Sequence, residues 1–378
     1  MTGPLAGIRI VEVGHMLMGP YCGMLLADLG ADVIKVEPAE GDISRNVGPH
    51  RIGPHNVYFA SLNRNKKSVV LDLASDSGQQ ALGELVRGAR GLVTNLRPSA
   101  IRKLGLTYER LKRFNPDLVC VALTGFGLDS PYADRPAYDY VIQGLTGIMN
   151  LTGDPEGPPV KAGYSAVDNS TAILGAFGLL AKLVEGRGGQ VDIAMYDAML
   201  SQLNYLAAAW LNAGDAPRRY PNSAHPYIVP AQNFATADGW ITVFITHDDF
   251  WKRFCREVGR EEWIDDPRYA TMTARSENRG ALLADVAAIF VGASTDEWVH
   301  RLAPLGVVVA PVESLEVALA SEHVRARHMV LELPSEGGPI RVVGNPVKID
   351  DAQDRTGAPP LLDAHAAMLQ SATTVRGA

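Results

Sequence analysis

Asp168 stands in the run GYSAVDNSTAILGAFGLL, at the start of a helix-like stretch of small and apolar residues, with polar neighbours and no basic partner in sequence. An aspartate at a helix start ordinarily accepts hydrogen bonds from orphan backbone N–H groups. The same setting suits a nucleophile. The positive end of the helix dipole would keep the carboxylate ionised, and small neighbours leave room for an electrophile such as a thioester. The two readings are compatible.

Positive charge is clustered in two places. Arg64, Lys66 and Lys67 lie in SLNRNKKSVVLDL just before a strand-like run, and Arg97, Arg102 and Lys103 lie in NLRPSAIRKLG just after one. Loops at the carboxyl ends of parallel strands bind ligands, and helix N-termini there favour phosphate. Taken singly, each cation reads first as a solvated charge.

Other chemistries find less support. Glu37 ends a second strand-like run, as a ribose-binding acid does. However, Gly14, Gly19 and Gly23 in GHMLMGPYCG are too widely spaced for a pyrophosphate turn, and Gly125 and Gly127 precede no helix. No GxxxxGK[ST] occurs, and GYSAV at 163–167 is not a nucleophile elbow. His50 with His55, and His323 with His328, are five apart, so neither pair shares a helix face as metal ligands do, and no metal is expected. His247, Asp248 and Asp249 precede an amphipathic run and read as a helix start.

The elements that must carry these residues alternate. Ile8 to Val13 reads as a strand, Pro20 to Leu29 as a helix, and Asp32 to Glu37 as a strand. Ser68 to Leu73, Gly91 to Leu96 and Leu118 to Leu123 continue as strands, separated by helices over Ser77 to Arg87 and Ser99 to Phe114. This alternation predicts a mostly parallel sheet covered on both faces. Small-residue helices follow over Tyr140 to Met149, Asp168 to Val184 and Tyr196 to Leu211, with a strand over Gln190 to Met195. Asn212 to Pro230 holds prolines at 217, 221, 226 and 230 and reads as a linker. Beyond it lie a strand over Trp240 to Ile245 and helices over Asp249 to Val258, Asn278 to Phe290, Thr295 to Leu302 (Thr295 as N-cap) and Ser314 to His323. Strands over Val330 to Leu333 and Ile340 to Val347 lead to a polar tail from Asp350.

Composition bounds the function. The 378 residues suffice for two or three domains at roughly 150 each. A net charge of −7 argues against a nucleic-acid-coating or membrane-surface role. Cys22, Cys120 and Cys255 lie far apart, which suggests neither a disulfide framework nor a zinc site and points to reducing cytoplasm. No apolar run reaches the ~18 residues of a spanning helix, and no export signal is visible at the start.

Five segments together resemble the class III CoA-transferase family, which includes formyl-CoA transferase and α-methylacyl-CoA racemase. They are PLAGIRIVEVGHMLMGPYCGMLLADLGADVIKVEPAEGD, LNRNKKSVVLDL, NLRPSAIRKLGLTYERLKRFNPDLVCVALTGFG, RPAYDYVIQGLTGIMNLTG and the run around Asp168. The resemblance covers nearly the whole chain.

It implies an α/β fold: a doubly wound, mostly parallel-sheet, Rossmann-like CoA-binding domain from residues 1–211 and 330–378, joined by a linker over 212–230 to a smaller α+β domain over 231–329. It also implies an interlocked homodimer. The implied activity is acyl-CoA:carboxylate CoA transfer through an aspartyl-CoA thioester on Asp168. CoA and acyl-CoA would be substrates, a small carboxylic acid the acceptor, and no cofactor would be permanently bound.

By the same resemblance His15, Met16 and Leu17 line the active site through their main chain, with Tyr138 and Asp139 near the reaction centre. Asn95, Ala100, Lys103, Leu104 and Leu71 contact CoA, and Arg45 stands in for a family arginine that is Pro38 here. Arg64 and Arg102 are weaker candidates for the phosphates. Leu17 replaces the glutamine of formyl-CoA transferases, and FITHDDFW replaces their glycine-rich flap, so larger acids, including dicarboxylates, are expected rather than formate or oxalate. Tyr138 replaces the racemases' histidine, and a phenol of pKa near 10 is a poor partner for α-proton exchange. Racemisation of 2-methylacyl-CoA, and CoA binding without turnover, are the alternatives.

Overall fold

The computed structural model describes residues 3–350 and 354–369. They divide into two compact units. One takes the chain up to Thr146, Ala162–Ala208 and the part from Ser321 onward; the other takes Gly147–Lys161 and Ala209–Ala320.

The first unit is built on a six-stranded sheet in the order Lys67–Val70, Asp32–Glu37, Arg9–Val13, Gly91–Thr94, Val119–Thr124, Gly189–Ala194. Every neighbouring pair is parallel. The fold is thus α/β with a large parallel sheet. The chain lays strands from Arg9–Val13 toward one edge and then returns to place Gly91–Thr94 on its other side. The carboxyl ends of these two strands therefore flank a switch point, where open α/β sheets form a crevice. Val119–Thr124 is buried along its whole length, which explains its unbroken apolar run.

Helix Ala166–Glu185 packs on Val119–Thr124 and on helix Met18–Asp28. It has the length and mean hydropathy of a spanning segment, 20 residues at 1.3, which the want of a continuous apolar run did not suggest. One face of it is buried against the sheet, whereas Ile173, Phe177 and Val184 are exposed.

The cations before the third sheet strand are each paired with a carboxylate, and Arg64 and Lys66 are buried as well. Arg64 is buried in a two-toothed pair with Asp28 (2.9 and 2.6 Å). Lys66 is buried 2.7 Å from Glu12, and Lys67 pairs with Asp32. Glu12 also holds Lys35 at 2.8 Å, its register partner on the neighbouring strand, and Lys35 holds Asp42 at 2.8 Å. All four side chains of this Lys66–Glu12–Lys35–Asp42 chain are buried. A Cβ on Gly23 would lie 2.0 Å from Glu12 Oε2, so glycine is required there for the carboxylate to fit.

Residues beyond Arg355 cover the sheet edge. Asp363 accepts from the Val70 N–H at 2.8 Å, and the His365 N–H donates to the Ser68 carbonyl at 3.0 Å. The polar tail thereby blunts an edge strand that would otherwise be open to pairing.

In the second unit, strands Val308–Pro311, Trp240–Phe244 and Ala231–Ala235 form an antiparallel sheet. Its core gathers Phe234, Trp251, Phe254, Phe290 and Trp298. Asp248 and Asp249 sit in the first turn of helix Asp248–Glu257, and Asp248 pairs with the buried Arg275 at 3.0 Å.

Several local expectations change. Ser294, not Thr295, caps helix Thr295–Leu302, because the Thr295 hydroxyl is taken by Asp238 and Thr236. The helix expected over 196–211 is two, Met195–Gln202 and Asn204–Ala213, and that over 140–149 is Asp139–Leu145 and Ile148–Leu151, divided at Gly147 with φ 83°. Ser314 to His323 likewise divides, with Ser321 capping Glu322–Ala326. Helix Val57–Asn63, capped by Asn56, had no counterpart in the sequence reading.

Glu12→Ala would leave two buried ammonium groups without their shared carboxylate. The expected loss is about 3–5 kcal/mol of unfolding free energy by denaturant titration, with Glu12→Gln intermediate. A loss below about 1 kcal/mol would mean that the pairs are not structural.

Candidate active site

Three connected cavities run along the carboxyl edge of the parallel sheet, all lined by the first unit. The innermost, about 290 Å³, is lined by Asp168 with His15, Met16, Leu17, Asn95 and Tyr138, among others. It shares His15, Ile43 and Leu96 with a second cavity of about 570 Å³, which takes in Leu71. The second shares Leu73, Ala74 and Leu104 with an outer cleft of about 740 Å³ that carries Arg102, Lys103 and Arg110. The tract thus passes from a mouth with three cations, through a middle where Leu71, Leu73, Leu96 and Leu104 stand beside Glu37, Glu40, Asp42 and Asp72, to Asp168.

The loop after Arg9–Val13 is pinned on three sides. Asn95, just past strand Gly91–Thr94, accepts from the His15 N–H and donates to the His15 carbonyl, both at 3.0 Å. Lys35 donates to the Gly14 carbonyl at 2.9 Å, and Asp42 accepts from the Met16 N–H at 3.0 Å. Met16 is held at φ 63°, a left-handed conformation that a non-glycine residue adopts only at a cost. A Cβ on Gly19 would lie 2.6 Å from Asn95 Oδ1, so this glycine admits the amide. Burial works to raise the Asp42 carboxyl, but Lys35 and the N–H groups of Met16 and Ser44 hold it at about 2. Burial lowers the His15 pKa despite Asp42, with Lys35 and Arg97 adding to the effect. The imidazole is therefore neutral near pH 7, with its buried Nδ1 unpartnered.

Asp168 is the third residue of helix Ala166–Glu185, but the helix end does not keep it ionised. Asp139 takes the helix's orphan donors: its Oδ2 accepts from the Val167 N–H at 2.8 Å and from the Asp168 N–H at 3.4 Å. Gln143 donates to Asp139 Oδ1 at 2.6 Å, which fixes that carboxylate. Burial, and then the Asp139 charge, push the Asp168 carboxyl up to about 7. Asp168 is thus a carboxylate that is poorly solvated, unpaired with any cation and poised near neutrality.

His15, Met16, Leu17, Asn95, Tyr138 and Asp168 are brought together around one cavity, and Tyr138 is 66% exposed. Asp139 is buried behind it, facing the helix end rather than the cavity. Leu71, Leu104 and Lys103 lie along the outer tract, whereas Ala100, on helix Pro98–Lys103, lines none of the three cavities. Arg45 does not line them either. Its guanidinium is committed to Glu37 at 2.8 and 2.7 Å and lies 3.8 Å from the Phe59 ring centre. Arg102 is tied to Asp134 at 3.0 Å but stays half exposed.

Sequence reasoning missed Tyr58, Arg97 and Arg135 as lining residues of the inner cavity. Arg135 stood in the quoted RPAYD segment, and Tyr58 lies on the unrecognised helix. Among the described residues, no three His, Cys, Asp or Glu are grouped to hold a metal ion.

The family described as CoA-transferase family III matches residues 5–366. An acetyl-CoA:oxalate CoA-transferase of Acetobacter aceti is 34% identical over 97% of this chain and 95% of its own length. A succinate–glutarate CoA-transferase of Agrobacterium fabrum is 36% identical over 89% of this chain and 87% of its own. The crystal structure of a CAIB/BAIF family protein from Brucella suis superposes with a TM-score of 0.85 at 33% identity, covering 98% of this chain and 99% of that one. The chain therefore belongs to CoA-transferase family III and is an enzyme of CoA transfer.

Proposed function

We propose that the protein moves CoA from an acyl-CoA donor to a small carboxylic acid through a covalent aspartyl-CoA thioester on Asp168. The observation that carries this reading is Asp168, poorly solvated and without a cation partner, in a cavity at one end of a tract whose other end carries Arg102, Lys103 and Arg110. Lys103, helped by Arg102, holds CoA phosphates at the mouth. Leu71 and Leu104 flank the pantetheine arm, and the pinned His15–Leu17 backbone lines the reacting thioester.

Asp168 attacks the acyl carbonyl; the C–S bond breaks, leaving a mixed anhydride and CoA thiolate. The thiolate attacks the aspartyl carbonyl, which expels the donor acid and leaves Asp168 as its CoA thioester. The acceptor carboxylate attacks that thioester, again releasing thiolate, which then takes the acceptor's acyl carbon and returns Asp168 as a carboxylate. Each step exchanges one acyl bond and needs no net proton. Asp139 serves by orienting the helix start, and its charge discourages over-stabilisation of the Asp168 carboxylate, keeping it nucleophilic.

Relatives named for oxalate, glutarate and succinate favour a dicarboxylic acid as acceptor or product. This extends the expectation from the sequence to include oxalate, which the changed flap had counted against. A second reading, 2-methylacyl-CoA racemisation, draws on the neutral His15 lining the same cavity as Asp168; deuterium entering the α-carbon without any acceptor acid would favour it. Three buried free cysteines support a cytoplasmic location. Ile173, Phe177 and Val184, exposed along helix Ala166–Glu185, support burial of that face in an interlocked homodimer. Light scattering on a sizing column should give twice the 40.6 kDa chain mass; a monomer at micromolar concentration would contradict the dimer.

Asp168→Asn should lower kcat for CoA exchange by at least about 1,000-fold. The wild-type kcat/KM for acyl-CoA should fall as pH drops through about 7, where Asp168 takes up a proton. Activity within tenfold of wild type in Asp168→Asn would rule out the covalent reading.

The same group links to stability. A carboxyl at about 7 in the folded protein, against an ordinary value of 3.8, binds its proton more tightly when folded, so its contribution to stability falls as pH rises from 4 to 8. Asp168→Asn should therefore stabilise the fold at pH 8, on the order of 2 kcal/mol, and much less at pH 4. Thermal denaturation at the two pH values reads this directly.

A further inference from the structure

The inner cavity holds one carboxylate, Asp168, and two guanidinium groups, Arg97 and Arg135. Among the described residues neither arginine makes a side-chain hydrogen bond or an ion pair. By contrast, the guanidinium groups of Arg45, Arg64 and Arg102 are each committed to a carboxylate. Two unpaired cations around a reacting carboxylate call for an anion that the reaction itself does not consume. When an acid is activated at Asp168 its reacting carboxylate loses its charge, first in the anhydride and then in the thioester. The CoA phosphates, placed at the outer cleft, keep their charge throughout; on the acid itself, the charge that persists through every step is that of a second carboxylate.

We propose that Arg135 is the specificity-determining residue of this site, pairing with the distal carboxylate of a short dicarboxylic acid whose other carboxylate reacts at Asp168. The inference rests on the reading of Asp168 as the covalent nucleophile. Both side chains are exposed, and Arg135 is favoured over Arg97 because two aromatic rings lie within cation–π range of its guanidinium. Its guanidinium carbon lies 5.6 Å from the Tyr132 ring centre and 5.9 Å from that of Phe126, and those rings meet edge to face at 5.7 Å. Its backbone N–H donates to the Tyr132 carbonyl at 2.8 Å. The preceding residue, Asp134, ties the loop to the start of helix Pro98–Lys103 by accepting from the Ser99 N–H at 3.0 Å and from Arg102.

Two aromatic rings within cation–π range leave the N–H donors of this guanidinium free, and its fork matches a carboxylate in two-toothed fashion. Arg97 instead leads into helix Pro98–Lys103 beside Leu96, which is shared with the middle cavity, and its charge acts on His15. At about 290 Å³ the cavity lies near the low end of the ~300–1,000 Å³ common for small-molecule sites, so it suits short acids.

The test uses purified full-length wild type, Arg135→Gln and Arg135→Lys with succinyl-CoA as donor. Acceptors are paired by chain length: succinate-d4 with butyrate, and glutarate with pentanoate. The quantity read is the ratio of kcat/KM for diacid over monoacid, which does not depend on the fraction of enzyme folded. The wild type should favour the diacid, and Arg135→Gln should reduce the ratio by roughly 10- to 100-fold, mainly through KM for the diacid, with Arg135→Lys between. A ratio near one in the wild type, or one unchanged within twofold in Arg135→Gln, would overturn the proposal. Failure of the underlying reading is a different result: no transfer from succinyl-CoA to any of the four acids by the wild type.

Discussion

The site depends on a buried chain of charges. Glu12 and Lys35 face each other across the first two strands of the sheet, and Lys35 reaches both Asp42 and the Gly14 carbonyl. These ions are out of water, so each needs its partner, and the geometry is correspondingly rigid. What they hold is the loop from Gly14 to Leu17, with Met16 in a conformation it would not choose alone. Asn95 closes the arrangement from the other side of the switch point. Core ionic bonding is thereby converted into a fixed backbone surface opposite Asp168.

A second carboxylate pair works in the opposite sense. Asp139 satisfies the helix start that would otherwise stabilise Asp168 as an anion, and adds its own negative charge behind it. Asp168 is thus left with burial and repulsion rather than with pairing. For the proposed covalent role, an aspartate locked to a cation would be a poor nucleophile; one that titrates near 7 is ionised in part at cellular pH and accepts an acyl group with little lost stabilisation. On the proposed role, function is obtained here at the expense of stability, as is common at reactive sites.

Much of this was legible in the sequence. Alternating strand-like and helix-like runs announced the parallel sheet, and the small-residue run after Asp168 announced the helix that carries it. What could not be read was the fate of each charge. Arg64 and Lys66 look like phosphate ligands beside a strand, but their partners Asp28 and Glu12 lie far back in the chain and meet them only in three dimensions. Arg45 was lost to Glu37 for the same reason. The helix dipole at Asp168 was a sound local argument, defeated by a carboxylate 29 residues earlier that occupies the same N–H groups. Arg135 and Arg97, in contrast, have no acid paired with them among the described residues.

The covalent role of Asp168 is tested most directly by trapping. Enzyme incubated with succinyl-CoA, treated with hydroxylamine, digested and analysed by mass spectrometry should carry a hydroxamate at Asp168, only when the acyl-CoA is present, with loss of activity in proportion. Continued CoA exchange with Asp168 unmodified would contradict the covalent role.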